Sequence, residues 1–297
     1  MNFMKRFGLI ILINALVMVT VSILLTVFNV QPYLNAHGIN YGSLLVFCLL
    51  WGFGGAFISL LLSKFMAKTM MGVKIIDPNI MSSPDEQWLV QTVHRLSQHA
   101  SLPKMPEVGI YDGDDMNAFA TGPSKSNSLV AVSSGILSKM NRNELEGVLA
   151  HEVAHIANGD MVTMVLIQGI VNAFGMFLSR IAAFALSQVV DEKKAPIVRF
   201  IATIVFDILF NFLGMFVVAY FSRRREFRAD AGSASIGGKE KMIQALQRLQ
   251  HEMLPAPAEK SPVATLQISD RRKSFLSALA THPPLEERIA RLQGKSQ

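Results

Sequence analysis

At 297 residues, 51% of them hydrophobic and only 17% charged, with mean hydropathy +0.34, the chain is too apolar for an ordinary soluble enzyme and too charged to lie wholly in a membrane. Its net charge of +6 clusters beside apolar runs, which reads as headgroup contact and topology rather than nucleic-acid binding, and no nucleic-acid motif accompanies it. The single cysteine, Cys48, excludes a disulfide framework and a cysteine-based zinc site.

In chain order, residues 7–30 form a nearly unbroken apolar run behind Lys5 and Arg6. The run is longer than a signal-peptide core, and Phe28, Asn29, Val30 and Gln31 offer no small-residue cleavage site, so a retained transmembrane helix is predicted. A connector over 31–41 has no Lys or Arg, and residues 42–62 are a second spanning run followed by Lys64, Lys68 and Lys74. Basic residues at both outer ends place those ends in the cytoplasm and the short loop outside. Gly52, Gly54 and Gly55 lie inside an apolar helix and read as a close-packing surface rather than a nucleotide loop. Residues 1–64 are thus predicted to be a two-helix membrane anchor.

Beyond the anchor the composition turns soluble. Trp88, Leu89, Val93 and Leu96 share one side of a helix predicted over 86–100, where His94 and His99 read as surface or core residues rather than ligands. Short strands predicted at 108–111 and 129–132, separated by turn signals, suggest a small antiparallel sheet. Asn141 and Glu144 have capping-box spacing and Asn158-Gly159 is a favoured stop, so the helix between them has its own start and end. Residues 161–190 and 197–221 are each long enough to span, making four membrane segments in all. Lys193, Lys194 and Arg199 near the connecting loop weaken a charge-based orientation of this hairpin, and partial burial in protein is the alternative to full spanning. Arg180 and Asp207 can pair within it, or equally snorkel or face a wet cavity, and no catalysis is assigned to them. After Arg223, Arg224 and Arg225, two helices are predicted, broken near Gly237-Gly238, then a mobile loop over 253–274 and a short helix starting at Pro283. Soluble segments 65–160 and 222–297 therefore flank a membrane hairpin at 161–221.

The chemistry concentrates in residues 148–160, VLAHEVAHIANGD. His151 and His155 are four residues apart, which puts both on one helix face, with Glu152 beside them. Two imidazoles so placed can bind one Zn2+ while the glutamate stays free as a base. A catalytic zinc needs a third protein ligand and an open position for water. Glu226 stands out for that place, with Asp230 four residues on to orient a ligand histidine; the alternative is that both only balance nearby arginines. His282 and Arg288 could stabilise an oxyanion, or could equally be a turn histidine and a surface arginine.

HEVAH followed by IANGD, EFRAD after the second hairpin and THPPLEER near the end resemble the HtpX-type membrane zinc metallopeptidases, bacterial relatives of the CAAX prenyl endopeptidases. The N-terminal runs, NAFATG and GDMVTMVLIQG extend the resemblance over nearly the whole chain. It implies that His151, His155 and Glu226 hold one Zn2+, Glu152 is the catalytic base, Asp230 stands behind a ligand histidine, and His282 and Arg288 lie near the transition state. It further implies that Asn117, Ala118, Phe119, Ala120 and Thr121 form a sheet edge that holds an extended peptide, since strand addition reads backbone and tolerates many side chains. The implied fold is mainly α: four membrane-helix segments plus a cytoplasmic zincin-like metallopeptidase domain. The implied role is cytoplasmic-side proteolysis of damaged or misfolded membrane proteins in the bacterial inner membrane, self-cleavage included.

Two other readings exist. An intramembrane, site-2-type protease would carry HExxH inside a spanning run and an LDG motif; polar residues precede this helix and LDG is absent. A metal transporter or non-catalytic zinc scaffold would carry ligands within the spanning runs, whereas the proposed ligands flank them. The apolar hairpin starts at Met161, just after Asp160, and Glu226 lies five residues after Phe221, so the hairpin is expected to return the third ligand to the histidines near the cytoplasmic bilayer surface.

Overall fold

Long apolar runs can satisfy their backbone groups in lipid only internally, and here they become long helices. The computed structural model describes residues 16, 19–27, 32, 34–35, 38–80, 83–253 and 280–294. A two-stranded ribbon, β1 (Leu34–Asn35) and β2 (Gly38–Ile39), precedes helix α1 (Tyr41–Met70). There follow β3 (Lys74–Ile75), α2 (Pro84–His99), β4 (Glu107–Tyr111), β5 (Ala118–Ser124), β6 (Asn127–Ser133) and α3 (Ser134–Lys139). Then come α4 (Arg142–Asn158), α5 (Asp160–Ser187) and α6 (Ala195–Ser233), which a π-helical turn, Ala234–Gly238, joins to α7 (Lys239–Met253). Helix α8 (Leu285–Leu292) is the last described element. The chain divides into two compact units, Met1–Leu61 with Thr163–Val218, and Leu62–Val162 with Ala219–Gln297.

In the first unit apolar side chains point outward: Ile170, Phe174, Ile197 and Phe200 are all more than half exposed. Three helices among the described residues are long and apolar enough to cross a membrane: Tyr41–Met70, Asp160–Ser187 and Ala195–Glu252. Of the predicted first span, residues 19–27 are helical, and most of the rest lies outside the described residues; the expected count of four becomes three among those described. Close packing rests on small residues, since a Cβ on Gly52 would stand 2.6 Å from the Ala173 nitrogen and one on Gly54 2.9 Å from Val21 Cγ2. The Arg180 Nη1 donates to both Asp207 oxygens, at 2.5 and 2.7 Å.

The second unit has a conventional core. Its sheet has the order β3-β4-β6-β5 and is mixed, not antiparallel as expected: β6 pairs antiparallel with β5 but parallel with β4. The β5–β6 hairpin folds back so that β6, rather than β5, lies beside β4, and local turn signals carry no information about that choice. As the strand covered on both faces, β6 is buried from Ser128 to Ser133 and its apolar run is continuous rather than alternating. Val108, Val130 and Val132 pack with Leu89, Val93 and Leu96 of α2 and Leu149 and Val153 of α4, while Leu129 and Ala131 pack with Val73 and Tyr111 on the other face.

Helix α4 begins and ends where its local signals place it. Asn141 forms both hydrogen bonds of a capping box with Glu144, and Gly159 closes the helix in the left-handed conformation, φ 70°. The predicted break falls at Gly238, whose φ of 104° lies outside the helical region and separates the π turn from α7. The neighbouring Gly237 permits close approach, since a Cβ there would stand 2.5 Å from the Ala150 Cβ. The predicted loop over 253–274 lies, apart from Met253, outside the described residues, and Pro284 rather than Pro283 caps α8.

Candidate active site

Helix α4 supplies His151, Glu152 and His155, and α6 supplies Glu226 and Asp230, each helix using four-residue spacing to present two groups on one face. His151, His155 and Glu226 are all buried, and one ligand atom from each lies within 4.8 Å of the others. His151 Nε2 is 3.1 Å from His155 Nε2, and each is 3.4 Å from a different oxygen of Glu226. Three buried ligand atoms converging from two helices fit a divalent metal, and imidazole with carboxylate suits zinc.

The opposite ring nitrogens meet carboxylates. His151 Nδ1 is 3.0 Å from Asp230 Oδ1, and His155 Nδ1 is 2.7 Å from Asp160 Oδ2. An ionised carboxylate only accepts, so each Nδ1 carries a hydrogen toward its carboxylate and Nε2 is the ring atom that faces the cluster. Arg288 is buried and donates from Nε and Nη2 to both oxygens of Asp230, at 2.8 and 2.7 Å; its Nη1 lies 3.7 Å from Glu226 Oε2. Burial disfavours the charged form of each histidine, but contacts with Asp230 and Glu226 outweigh it for His151, and those with Asp160 and Glu226 raise His155 to about 9. For Glu226 burial likewise opposes ionisation, yet hydrogen bonds from His151, His155 and His282 hold its carboxyl far below the usual range.

Glu152 stays outside the triad of ligand atoms. Its Oε2 accepts from the Ala120 N–H at 2.8 Å, which ties it to β5, an edge strand of the sheet. Of the predicted substrate segment, Ala118, Phe119, Ala120 and Thr121 lie in β5, while Asn117 precedes it and accepts from the Ser133 N–H through its carbonyl. His282 lies against the cluster, Nδ1 3.0 Å from Glu226 Oε2, with its side chain 66% exposed. Sequence reasoning missed Asp160, Arg225 and Arg228 as members of this network. Arg225 donates to Glu226 Oε1 at 3.3 Å and Arg228 to Asp160 Oδ1 at 2.6 Å. An acid placed directly after a helix-stopping glycine, at the head of an apolar run, was the one available signal for Asp160.

A profile of peptidase family M48 matches residues 83–296. A protein of Bacillus subtilis (strain 168) named Protease HtpX homolog is 54% identical, the match covering 98% of this chain and 99% of that one. Protease HtpX of Acinetobacter baylyi is 46% identical, with 98% of each covered. Among solved structures, S. mikatae Ste24p matches with a TM-score of 0.64 at 18% identity, over 98% of this chain and 64% of that chain, which shows a shared fold.

Proposed function

Because the chain belongs to peptidase family M48 and is a metalloprotease, we propose that it is a zinc endopeptidase that cleaves damaged or misfolded membrane proteins on the cytoplasmic side of a bacterial inner membrane. The observation that carries this reading is the convergence of His151, His155 and Glu226 with a separate carboxylate, Glu152, held beside them. Helix α4 packs on a sheet and is not one of the membrane-capable helices, which favours hydrolysis in water over cleavage inside the bilayer.

His151, His155 and Glu226 would hold the zinc. The metal, when bound, supplies a Lewis acid that acidifies water and polarises the scissile carbonyl. Glu152 takes the proton of the attacking water and delivers it to the departing amine. Its bond to Ala120 N–H aims the carboxylate from the strand along which the extended peptide would pair, with residues 117–121 reading substrate backbone. Asp230 fixes the tautomer of His151, and Arg288 fixes Asp230 while adding positive charge to the site. His282, open to solvent beside Glu226, would donate its hydrogen to a developing oxyanion once Glu226 turns to the zinc. The membrane helices anchor the enzyme in the bilayer that its substrates share, and the soluble segments 65–160 and 222–297 together form the catalytic domain.

The test is a zinc-dependent cleavage assay in detergent, with wild type and Glu152→Gln side by side. The variant should keep its zinc and lose cleavage by roughly 10²–10⁴-fold, the usual contribution of a general base. Cleavage at the wild-type rate would remove Glu152 from this role. Wild-type cleavage that survives zinc removal would remove the metal from the mechanism.

A further inference from the structure

The two ligand histidines are supported from different parts of the chain. Behind His151 stands Asp230, on the same helix as the third ligand. Behind His155 stands Asp160, the first residue of α5. Gly159 makes this possible: at φ 70° and ψ 31° it ends α4 and turns the chain, and the next side chain meets the ring five residues back. Asp160 is fully buried. One oxygen lies 2.7 Å from His155 Nδ1, and the other accepts from Arg228 Nη2 at 2.6 Å. Arg228 belongs to α6, two residues beyond Glu226, so the helix that brings the third ligand also grips the group behind the second.

We propose that Asp160 and Arg228 are a positioning pair for the metal centre, matching behind His155 what Asp230 and Arg288 do behind His151. This inference rests on the zinc-site reading above. The carboxylate sets the His155 tautomer, and the guanidinium sets the carboxylate. An acid in the first turn of a helix has a simpler use, complementing the helix dipole. That use needs neither the contact with His155 nor the arginine from another helix. The pair also joins Asp160, the opening residue of one hairpin helix, to the other hairpin helix directly at a ligand.

The test uses the full-length protein in detergent and two readouts other than cleavage: zinc affinity by chelator competition, and the visible absorption spectrum of the Co2+-loaded protein. Asp160→Asn and Arg228→Ala should each weaken zinc roughly 10–100-fold, as loss of such partners does at other sites, and each should alter the Co2+ spectrum. Arg228→Lys should stay closer to wild type in both readouts. The double variant should be no weaker than the worse single, because the two act in series. Helical content of the metal-free proteins, by circular dichroism, reports folding; should Asp160→Asn fail to fold, the two Arg228 variants carry the test, since that side chain is more than half exposed. Unchanged affinity and spectrum in the folded variants, or fully additive losses, overturns the pairing. Glu226→Gln separates the two levels: if it binds zinc like wild type, the metal-site reading fails, and the positioning pair with it.

Discussion

Arg180 grips both oxygens of Asp207 in the membrane unit, and Arg288 grips both oxygens of Asp230 in the soluble one. The two ion pairs look alike, yet only one touches the histidine cluster. Asp230 Oδ1 has a second partner in His151 Nδ1, using spare acceptor capacity of the carboxylate. Asp207 meets Arg180 among apolar side chains, where the pair cancels two charges that lipid would not solvate. The same geometry thus closes on itself in one unit and reaches a histidine in the other. What stands beyond the carboxylate decides which.

Breaking each pair separates these uses. The largest expected effect is that of Asp207→Ala, which leaves Arg180 unpaired and should cost roughly 3–5 kcal/mol of stability in detergent unfolding. An Arg180→Met/Asp207→Leu double variant should recover most of that loss, with zinc affinity unchanged throughout. If the single variant is no less stable than the double, the pair is not a closed neutralising unit. Asp230→Asn should weaken zinc by roughly 10–100-fold, an effect that Asp207→Ala should not have. Retained zinc affinity there would put the difference between the two pairs in doubt.

Packing offers a finer version of the same comparison. Gly147 lets α4 approach the Lys241 backbone carbonyl of α7, much as Gly52 lets α1 approach the Ala173 backbone. Alanine at either place should cost about 1–3 kcal/mol through overpacking. The Gly147→Ala change should in addition lower zinc affinity, because α4 carries both histidines; Gly52→Ala should leave affinity alone.

The smallest effect is a pH dependence. Glu146, buried on α4, accepts from Arg95 at 2.9 Å and lies 2.6 Å from Lys241. Burial pushes its carboxyl up, but the bonds to Lys241 and Arg95 outweigh that and hold it below the usual 4.5. The unfolded chain therefore binds more protons as pH falls through 4.5 and below, and the stability this group supplies at neutral pH is lost there. Glu146→Gln should flatten that acid limb of stability, by a modest amount because both basic partners are partly exposed. An acid limb identical to wild type would show that the pair contributes nothing measurable.

How much of this was legible beforehand follows the range of the interactions. The capping box at Asn141, the stop at Gly159 and the joint facing of His151 and His155 involve neighbours within one or two turns, and each stands where the sequence put it. The break expected near Gly237-Gly238 stands at Gly238, φ 104°, whereas the close packing of Gly237 against Ala150 was not legible, because only the opposing helix decides it. The sheet was half legible. A tight turn announces the β5–β6 hairpin, but nothing local says that β6 sits beside β4 in parallel.

The metal site divides in the same manner. Spacing alone determined the helix face that holds two histidines and the glutamate beside them, because helical periodicity is a local property of the backbone. The apolar run lengths likewise determined which segments can cross a membrane, since length and composition set that by themselves. Only the tertiary structure decided that Asp160 stands behind His155 with Arg228 behind it, that Arg288 is buried on Asp230, and that Glu152 is held by strand β5. Those contacts join residues 5, 68, 58 and 32 positions apart. Charge and polarity make such partners possible, but at the longer separations only folding of the intervening chain brings them within hydrogen-bonding distance.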